Sequence, residues 1–290
     1  MERDSANVRY GSNYRFFKKW EKEKVTGFEY LKPNYPADAF EGTALYYSRY
    51  RVPYPQVLIK DLINRTSPPQ KAKLLDLASG PGRVAIALAS FFSKVLANDV
   101  DADMVSVGKS EAEKNKTSNI EWLIGRAEEL KIESNSVDLI TIGEAFHRLD
   151  QSLILDLAYR WLKPGSHIAI VGMYSIWRGD ELWHKRVSEI TDKWTPNSSG
   201  SNKSEFRDYG LLLNDKGFTN CTSYPFEFPH YCTIDSIIGY LHSTSRCSKK
   251  VLGEKAEEFE SELKSELNKI SEEGVFFENI RCGYTLGKKP

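Results

Sequence analysis

The stretch Leu74-Leu75-Asp76-Leu77-Ala78-Ser79-Gly80-Pro81-Gly82-Arg83-Val84-Ala85 decides how this chain is read. It starts as a short apolar run, passes through a loop of small residues and resumes as an apolar-periodic segment, the pattern of a buried strand turning into a helix. Such a turn brings bare backbone and the positive end of a helix close to a ligand. Gly80 and Gly82 also fit a G-x-G-x-x-A dinucleotide loop, so an NAD-type site is one reading and a tight turn without a ligand is another. Asp76 weighs between them. A carboxylate just before the glycines adds like charge where a pyrophosphate would sit, and it suits a cationic ligand.

Outward from the loop, short apolar runs at 73–77, 94–97, 120–124, 137–142 and 167–171 alternate with helical segments at 82–92, 101–114 and 151–162. Alternation at this spacing implies βαβ units and a mostly parallel sheet, an α/β fold. Residues 1–70 differ in texture, being rich in Tyr, Phe, Lys and Arg and ending in the breaker cluster Ser67-Pro68-Pro69-Gln70. Within them, Tyr54-Pro55 opens a short helix carrying Val57, Leu58, Ile59, Leu62 and Ile63. After 173 the alternation stops. Trp183, Val187, Ile190 and Trp194 recur at helical spacing, as do Leu252, Ala256, Phe259, Leu263, Leu267 and Ile270. Pro196-Asn197-Ser198-Ser199-Gly200-Ser201-Asn202 reads as a polar loop, and 218–228 and 276–286 have strand composition.

Composition narrows the function classes. The 290 residues are 40% hydrophobic, enough for a sizeable core, and 40 Lys+Arg balance 40 Asp+Glu. Zero formal charge argues against a polyanion partner, so no nucleic acid is expected. The neutrality is uneven: residues 1–24 hold seven basic against four acidic residues, while 250–273 hold four against eight. No apolar run is long enough to span a bilayer and the N-terminus is charged, so a cytoplasmic protein without membrane partners is expected. Cys221, Cys232, Cys247 and Cys282 show no CxxC pair and no His at zinc-finger spacing. They are read as reduced thiols, and no metal-binding residue is expected.

The quoted loop resembles the first motif of the class I S-adenosylmethionine-dependent methyltransferase superfamily, with Ala78 where the family has its first glycine. Further matches occur in order along the chain. Val95-Leu96-Ala97-Asn98-Asp99 is similar to the second strand, whose acidic end, here Asp99, holds the ribose. Gly125-Arg126-Ala127-Glu128-Glu129-Leu130 is similar to the third motif, where Ala127 and Glu128 flank the adenine, although Arg126 stands where the family often has an acid. The stretch 136–147, with Gly143, Glu144 and His147, resembles the fourth strand and the loop facing the reacting methyl. Leu162-Lys163-Pro164-Gly165 and the strand after it resemble the fifth. Outside the core, 47–55 and 233–245 resemble flanking segments of small-molecule members, the type 11/25 group.

The resemblance implies a Rossmann-like methyltransferase fold with a seven-stranded, mostly parallel sheet. Residues 1–70 would form an N-terminal helical lid, 71–173 the cofactor-binding core, and 174–290 a substrate cap insertion and the C-terminal completion of the sheet, in a single domain. It implies S-adenosyl-L-methionine as cofactor, held by Asp76, Ala78, Gly80, Asp99, Ala127, Glu128 and Gly143, and a small-molecule substrate, in a monomer or homodimer. His147, which titrates near neutrality, is the expected general base if one is used. Tyr47, Arg51, Glu144 and Trp177 are the expected substrate contacts, Arg51 because its planar fork suits a carboxylate. An NAD-type oxidoreductase, a nucleic-acid methyltransferase and a non-catalytic binding protein on the same fold are the rival readings.

Overall fold

The computed structural model describes residues 30, 36, 38–173, 176, 179–196 and 209–290. Trp177, the polar residues 197–202 and the basic stretch 1–24 lie outside the described residues. Helices α1 (Ala44–Tyr50) and α2 (Gln56–Thr66) precede the sheet. The strands are β1 (Lys73–Leu77), β2 (Lys94–Asp99), β3 (Ile120–Ile124), β4 (Val137–Gly143), β5 (Leu162–Met173), β6 (Thr219–Thr233) and β7 (Val275–Lys288). Between them lie α3 (Arg83–Leu88), α4 (Ala102–Lys114), α5 (Gln151–Trp161), α6 (Leu182–Trp194), α7 (Tyr209–Asp215), α8 (Ile234–His242), α9 (Lys249–Leu252) and α10 (Ala256–Asn268).

The strands form one seven-stranded sheet in the order β3-β2-β1-β4-β5-β7-β6. Strands β1 to β5 are parallel, and β7 runs antiparallel to both β5 and β6. The sheet is mostly parallel, as the alternation of runs implied, and Rossmann-like, as the resemblance implied. Its central strands are apolar on both faces because helices cover both, and side chains alternate between the two sides. Leu75, Leu77, Ile140 and Ile142 pack with Ile154, Leu155 and Trp161 of α5. Leu74, Leu139 and Ala97 pack on the other side with Leu58 and Leu62 of α2 and Val84 and Leu88 of α3. A third cluster joins Val187 of α6, Ile237 and Leu241 of α8, and Phe259, Leu263 and Leu267 of α10, so both late amphipathic repeats are helices facing one core.

Two features of the sheet place the cavities of the molecule. Strand order reverses between β1 and β4, and in open α/β sheets the crevice at the carboxyl ends of the strands at such a point takes ligands. The second feature is length. Strand β5 reaches β7 only as far as the Met173–Cys282 pair, while β6 and β7 stay paired to Thr233 and Val275. The outer ends of β6 and β7 therefore project beyond the parallel sheet as a two-stranded ribbon. Among the described residues no helix is long and apolar enough to cross a membrane.

Leu139 is fully buried at the centre of this sheet. Leu139→Ala is expected to cost about 2–5 kcal/mol, read as a lower urea midpoint at unchanged m-value. A variant unfolding at the wild-type midpoint would contradict the two-sided burial of β4.

Candidate functional site

The loop joining β1 to α3 turns through three residues in left-handed conformation: Ala78 (φ 48°), Gly80 (φ 54°) and Gly82 (φ 77°). At Gly82 there is a second constraint, because a Cβ would lie 2.4 Å from the Trp122 ring. Ala78 holds a backbone geometry that glycine adopts more readily, which accounts for the family's glycine at that place. Asp76 anchors the turn from beneath. Its Oδ2 accepts the Ala85 N–H at 3.0 Å and its Oδ1 accepts the Thr141 hydroxyl at 2.7 Å. It is fully buried, and burial pushes its carboxyl up to about 7, with Asp99 adding to the rise and the hydrogen bonds from Thr141 and Ala85 opposing it. Asp76 is thus first a fastening between β1, α3 and β4, so its expected role as a charge chosen to suit a cationic ligand needs this correction.

Asp99, at the end of β2, clamps the same loop. Its Oδ2 accepts the Gly80 N–H at 2.7 Å and its Oδ1 accepts the Asp101 N–H at 3.0 Å. Burial raises its pKa, against the pull of these backbone bonds. Asn98 donates from Nδ2 to the carbonyls of Leu123 and Gly125, fixing the neighbouring loop, while its buried Oδ1 has no partner among the described residues.

A cleft opens above these loops. Asp76, Ala78, Gly80, Asp99, Ala127, Glu128 and Gly143 all line it, together with Tyr47 and Glu144. Every residue expected to hold a cofactor therefore faces one space, although the residues come from the ends of four separate strands. Gly143 has close neighbours, since a Cβ there would lie 2.9 Å from Val84 Cγ2 and 3.3 Å from the Tyr54 hydroxyl.

A second cavity adjoins the first, and the two share Arg83 and Glu144 in their walls. Arg83 Nη1 lies 3.1 Å from Glu144 Oε2, both side chains are more than four-fifths buried, and the Tyr54 hydroxyl donates to the same oxygen at 3.4 Å. The guanidinium also donates to the Val52 carbonyl and sits over the Tyr54 ring at 4.9 Å. Glu144 itself has φ 54°, a strained conformation for a non-glycine residue that sets its carboxylate at the junction. The sequence reading missed Arg83, and it gave no sign that the Tyr54 hydroxyl meets Glu144. Arg83 stands in the quoted loop, but spacing gives no sign that it turns toward Glu144, 61 residues away.

Two expected contacts are placed differently. His147 lies in a short 3-10 turn, Phe146–Arg148, and lines neither cavity, although Ala145 and Arg148 line the first. Burial, helped by Arg148, pushes it down to about 4, so it is neutral at pH 7 but a weak base away from the space where a base would work. Arg51 lines the second cavity, yet Nε donates to Ser243 Oγ at 2.7 Å, Nη1 to the Tyr240 hydroxyl at 3.1 Å and Nη2 to the Ser243 carbonyl at 3.5 Å. Its guanidinium is sandwiched between the Tyr47 and Tyr240 rings at 4.7 and 4.4 Å. The arginine bolts the end of α1 to α8, which corrects the expectation that it receives a ligand carboxylate. Trp177 lies outside the described residues.

Residues 75–170 match the family described as a methyltransferase domain. The match is to the central part of the sheet, β1 to β5 with the loops described above, so this part of the chain is similar to a methyltransferase domain. It is 36% identical over 109 residues to the mitochondrial 2-methoxy-6-polyprenyl-1,4-benzoquinol methylase of Caenorhabditis elegans, a match covering 36% of this chain and only 38% of that protein. It is 24% identical to the uncharacterized methyltransferase C25B8.09 of Schizosaccharomyces pombe, across 84% of this chain and 94% of that protein. Among solved structures, the YcgJ protein of Bacillus subtilis shares the fold with a TM-score of 0.50 at 16% identity, covering 81% of this chain and 99% of that one.

Asp76 gives a pH test of the loop's anchorage. Its folded pKa lies above its unfolded value near 3.8, so its contribution to stability is present below about pH 4 and lost as pH rises through about 7. Asp76→Asn removes that dependence while keeping an oxygen for the Ala85 N–H. The thermal midpoint of the variant is expected to gain on wild type as pH rises across this window, and parallel curves would contradict the burial argument.

Proposed function

We propose that this chain transfers a methyl group from S-adenosylmethionine to a small-molecule acceptor, with the cofactor in the first cavity and the acceptor in the second. The observation that carries the proposal is the shared wall. Arg83 and Glu144 stand where the two spaces meet, so ligands in each would approach one another there.

The first cavity suits the cofactor chemically. The left-handed turns at Ala78 and Gly80 present backbone rather than side chains. Asp99 has acceptor capacity left for ribose hydroxyls, since a carboxylate offers about four lone-pair sites and the Gly80 and Asp101 N–H groups take one on each oxygen. Asn98 Oδ1 is a buried acceptor in the same wall that lacks a donor among the described residues. Ala127 and Glu128 would flank the adenine, and Gly143 keeps the middle of the cleft open. Bound there, S-adenosylmethionine supplies an electrophilic methyl on a sulfonium.

The chain's own task is alignment, which for well-oriented partners is worth about 7–11 kcal/mol. Glu144, held by Arg83 and Tyr54, is the carboxylate placed to orient an acceptor's O–H or N–H at the passage. Tyr47 forms part of the roof. A small-molecule acceptor is supported by the second cavity adjoining the first and by the C. elegans relative, whose name gives a benzoquinol. In this reading residues 1–70 act as a lid, 71–173 hold the cofactor, and 174–290 cap the acceptor and complete the sheet within one domain.

Transfer of labelled methyl from S-adenosylmethionine into a small-molecule extract tests the proposal. Glu144→Gln is expected to lower turnover by about 100-fold while leaving S-adenosylhomocysteine affinity unchanged. His147→Gln is expected to leave turnover close to wild type. Label appearing only in RNA, DNA or protein would overturn the small-molecule reading.

A further inference from the structure

The ribbon formed by the outer ends of β6 and β7 carries a side-chain cluster that methyl transfer does not use. His230 pairs directly with Glu278 across the two strands, and Cys232 pairs with Phe276. Residues two apart on a strand share a face, as do directly opposed residues, so His230, Cys232 and Glu278 project from the same side of the ribbon. One ligand atom from each, a ring nitrogen, the thiol sulfur and a carboxylate oxygen, lie within 4.8 Å of one another. All three line the second cavity. His230 Nδ1 and Glu278 Oε1 already meet at 3.0 Å.

The other carboxylate oxygen is held from behind. His184 of α6 places Nε2 at 3.2 Å from Glu278 Oε2. Its ring is almost fully buried, stacked on Trp183 at 3.6 Å and packed against Gly179 so closely that a Cβ there would lie 2.1 Å away. A carboxylate oriented by an imidazole in this way is the arrangement that fixes a metal ligand in place.

We propose that His230, Cys232 and Glu278 form a three-ligand site for a zinc-class divalent metal, with its open coordination position facing the second cavity. Nitrogen, sulfur and oxygen donors together select a borderline metal such as Zn2+ over Mg2+ or Ca2+, which favour oxygen alone. A tetrahedral zinc sets its donor atoms about 3.3–3.8 Å apart, so side-chain rotations that draw the donors together by about 1 Å complete the site. The cation replaces the His230–Glu278 hydrogen bond with two coordination bonds, and a third forms to Cys232 as its thiol gives up its proton to solvent and leaves the Phe276 carbonyl. Three protein donors and one open position are the pattern of zinc sites that bind a further ligand. The metal site stands independently of the methyl-transfer reading. Only its use rests on that reading: an acceptor oxygen or sulfur at the open position would lie in the cavity that reaches Arg83 and Glu144. The expectation of no metal-binding residue relied on linear spacing. His230-Tyr231-Cys232 offers only an H-x-C, and Glu278 follows His230 by 48 residues, so the strand pairing alone brings the set together.

Titration of metal-free, tag-free full-length protein with Co2+, followed by absorption, tests the site without reference to methyl transfer. The expected result is saturation at one equivalent, with a thiolate-to-cobalt band in the near ultraviolet that Zn2+ abolishes by displacement. Cys232→Ser should lose the band, and Cys221→Ser should keep it. His230→Gln, on the partly exposed edge strand, should weaken binding by at least about tenfold with an unchanged far-ultraviolet circular dichroism spectrum, so the test survives if the cysteine variant fails to fold. Absence of the band in wild type, its persistence in folded Cys232→Ser, or wild-type affinity in His230→Gln would each overturn the proposal.

Discussion

The buried carboxylate of Asp76 is the constraint on which the rest of the site depends. One side chain joins β1, where it sits, to the first turn of α3 through the Ala85 N–H and to β4 through the Thr141 hydroxyl. Removing either partner would leave a buried acceptor short of a donor, which costs more than a surface bond returns. The turn between β1 and α3 therefore has fixed ends, and its backbone is forced into the left-handed conformations of Ala78, Gly80 and Gly82. Asp99 fixes the middle of the same turn from the next strand. The cleft is consequently faced by backbone and the ends of parallel strands, a surface shaped before any ligand arrives.

The acceptor side is built differently. Its walls come from segments far apart in the chain: the end of α1, α8, and the ribbon beyond the parallel sheet. Arg51 holds the first two together by stacking between Tyr47 and Tyr240 and by donating to Ser243. Arg83 and Glu144 then join this outer assembly to the core loop, since Arg83 belongs to the loop's own helix and reaches the Val52 carbonyl and Glu144 together. A rigid inner cleft and an outer cavity assembled from remote pieces thus meet at a single ion pair.

These two modes of construction explain what could be read from the sequence. The strand positions and the loop depend on local signals, apolar runs and small residues a few positions apart, and the cofactor-facing residues were legible through the resemblance of those short motifs to a known family. Asp76 was legible as important, but not as a fastening, because the partners of its two oxygens are Ala85, nine residues on, and Thr141, 65 residues on. His147 and Arg51 were read from their chemical type, and tertiary packing turned one away from the cavities and saturated the other. The Glu144–Arg83 pair and the His230, Cys232 and Glu278 cluster arise from contacts between distant segments, for which periodicity holds no signal.

We propose above that the cleft fixed by Asp76 and Asp99 is a site for S-adenosylmethionine. Calorimetric titration with S-adenosylhomocysteine, with NAD as the comparison ligand, tests it most directly. One S-adenosylhomocysteine site per chain is expected, weakened at least about tenfold in Asp99→Ala, a loss of about 1.4 kcal/mol, with no heat from NAD. Binding of NAD in preference, or an affinity for S-adenosylhomocysteine indifferent to Asp99→Ala, would contradict it.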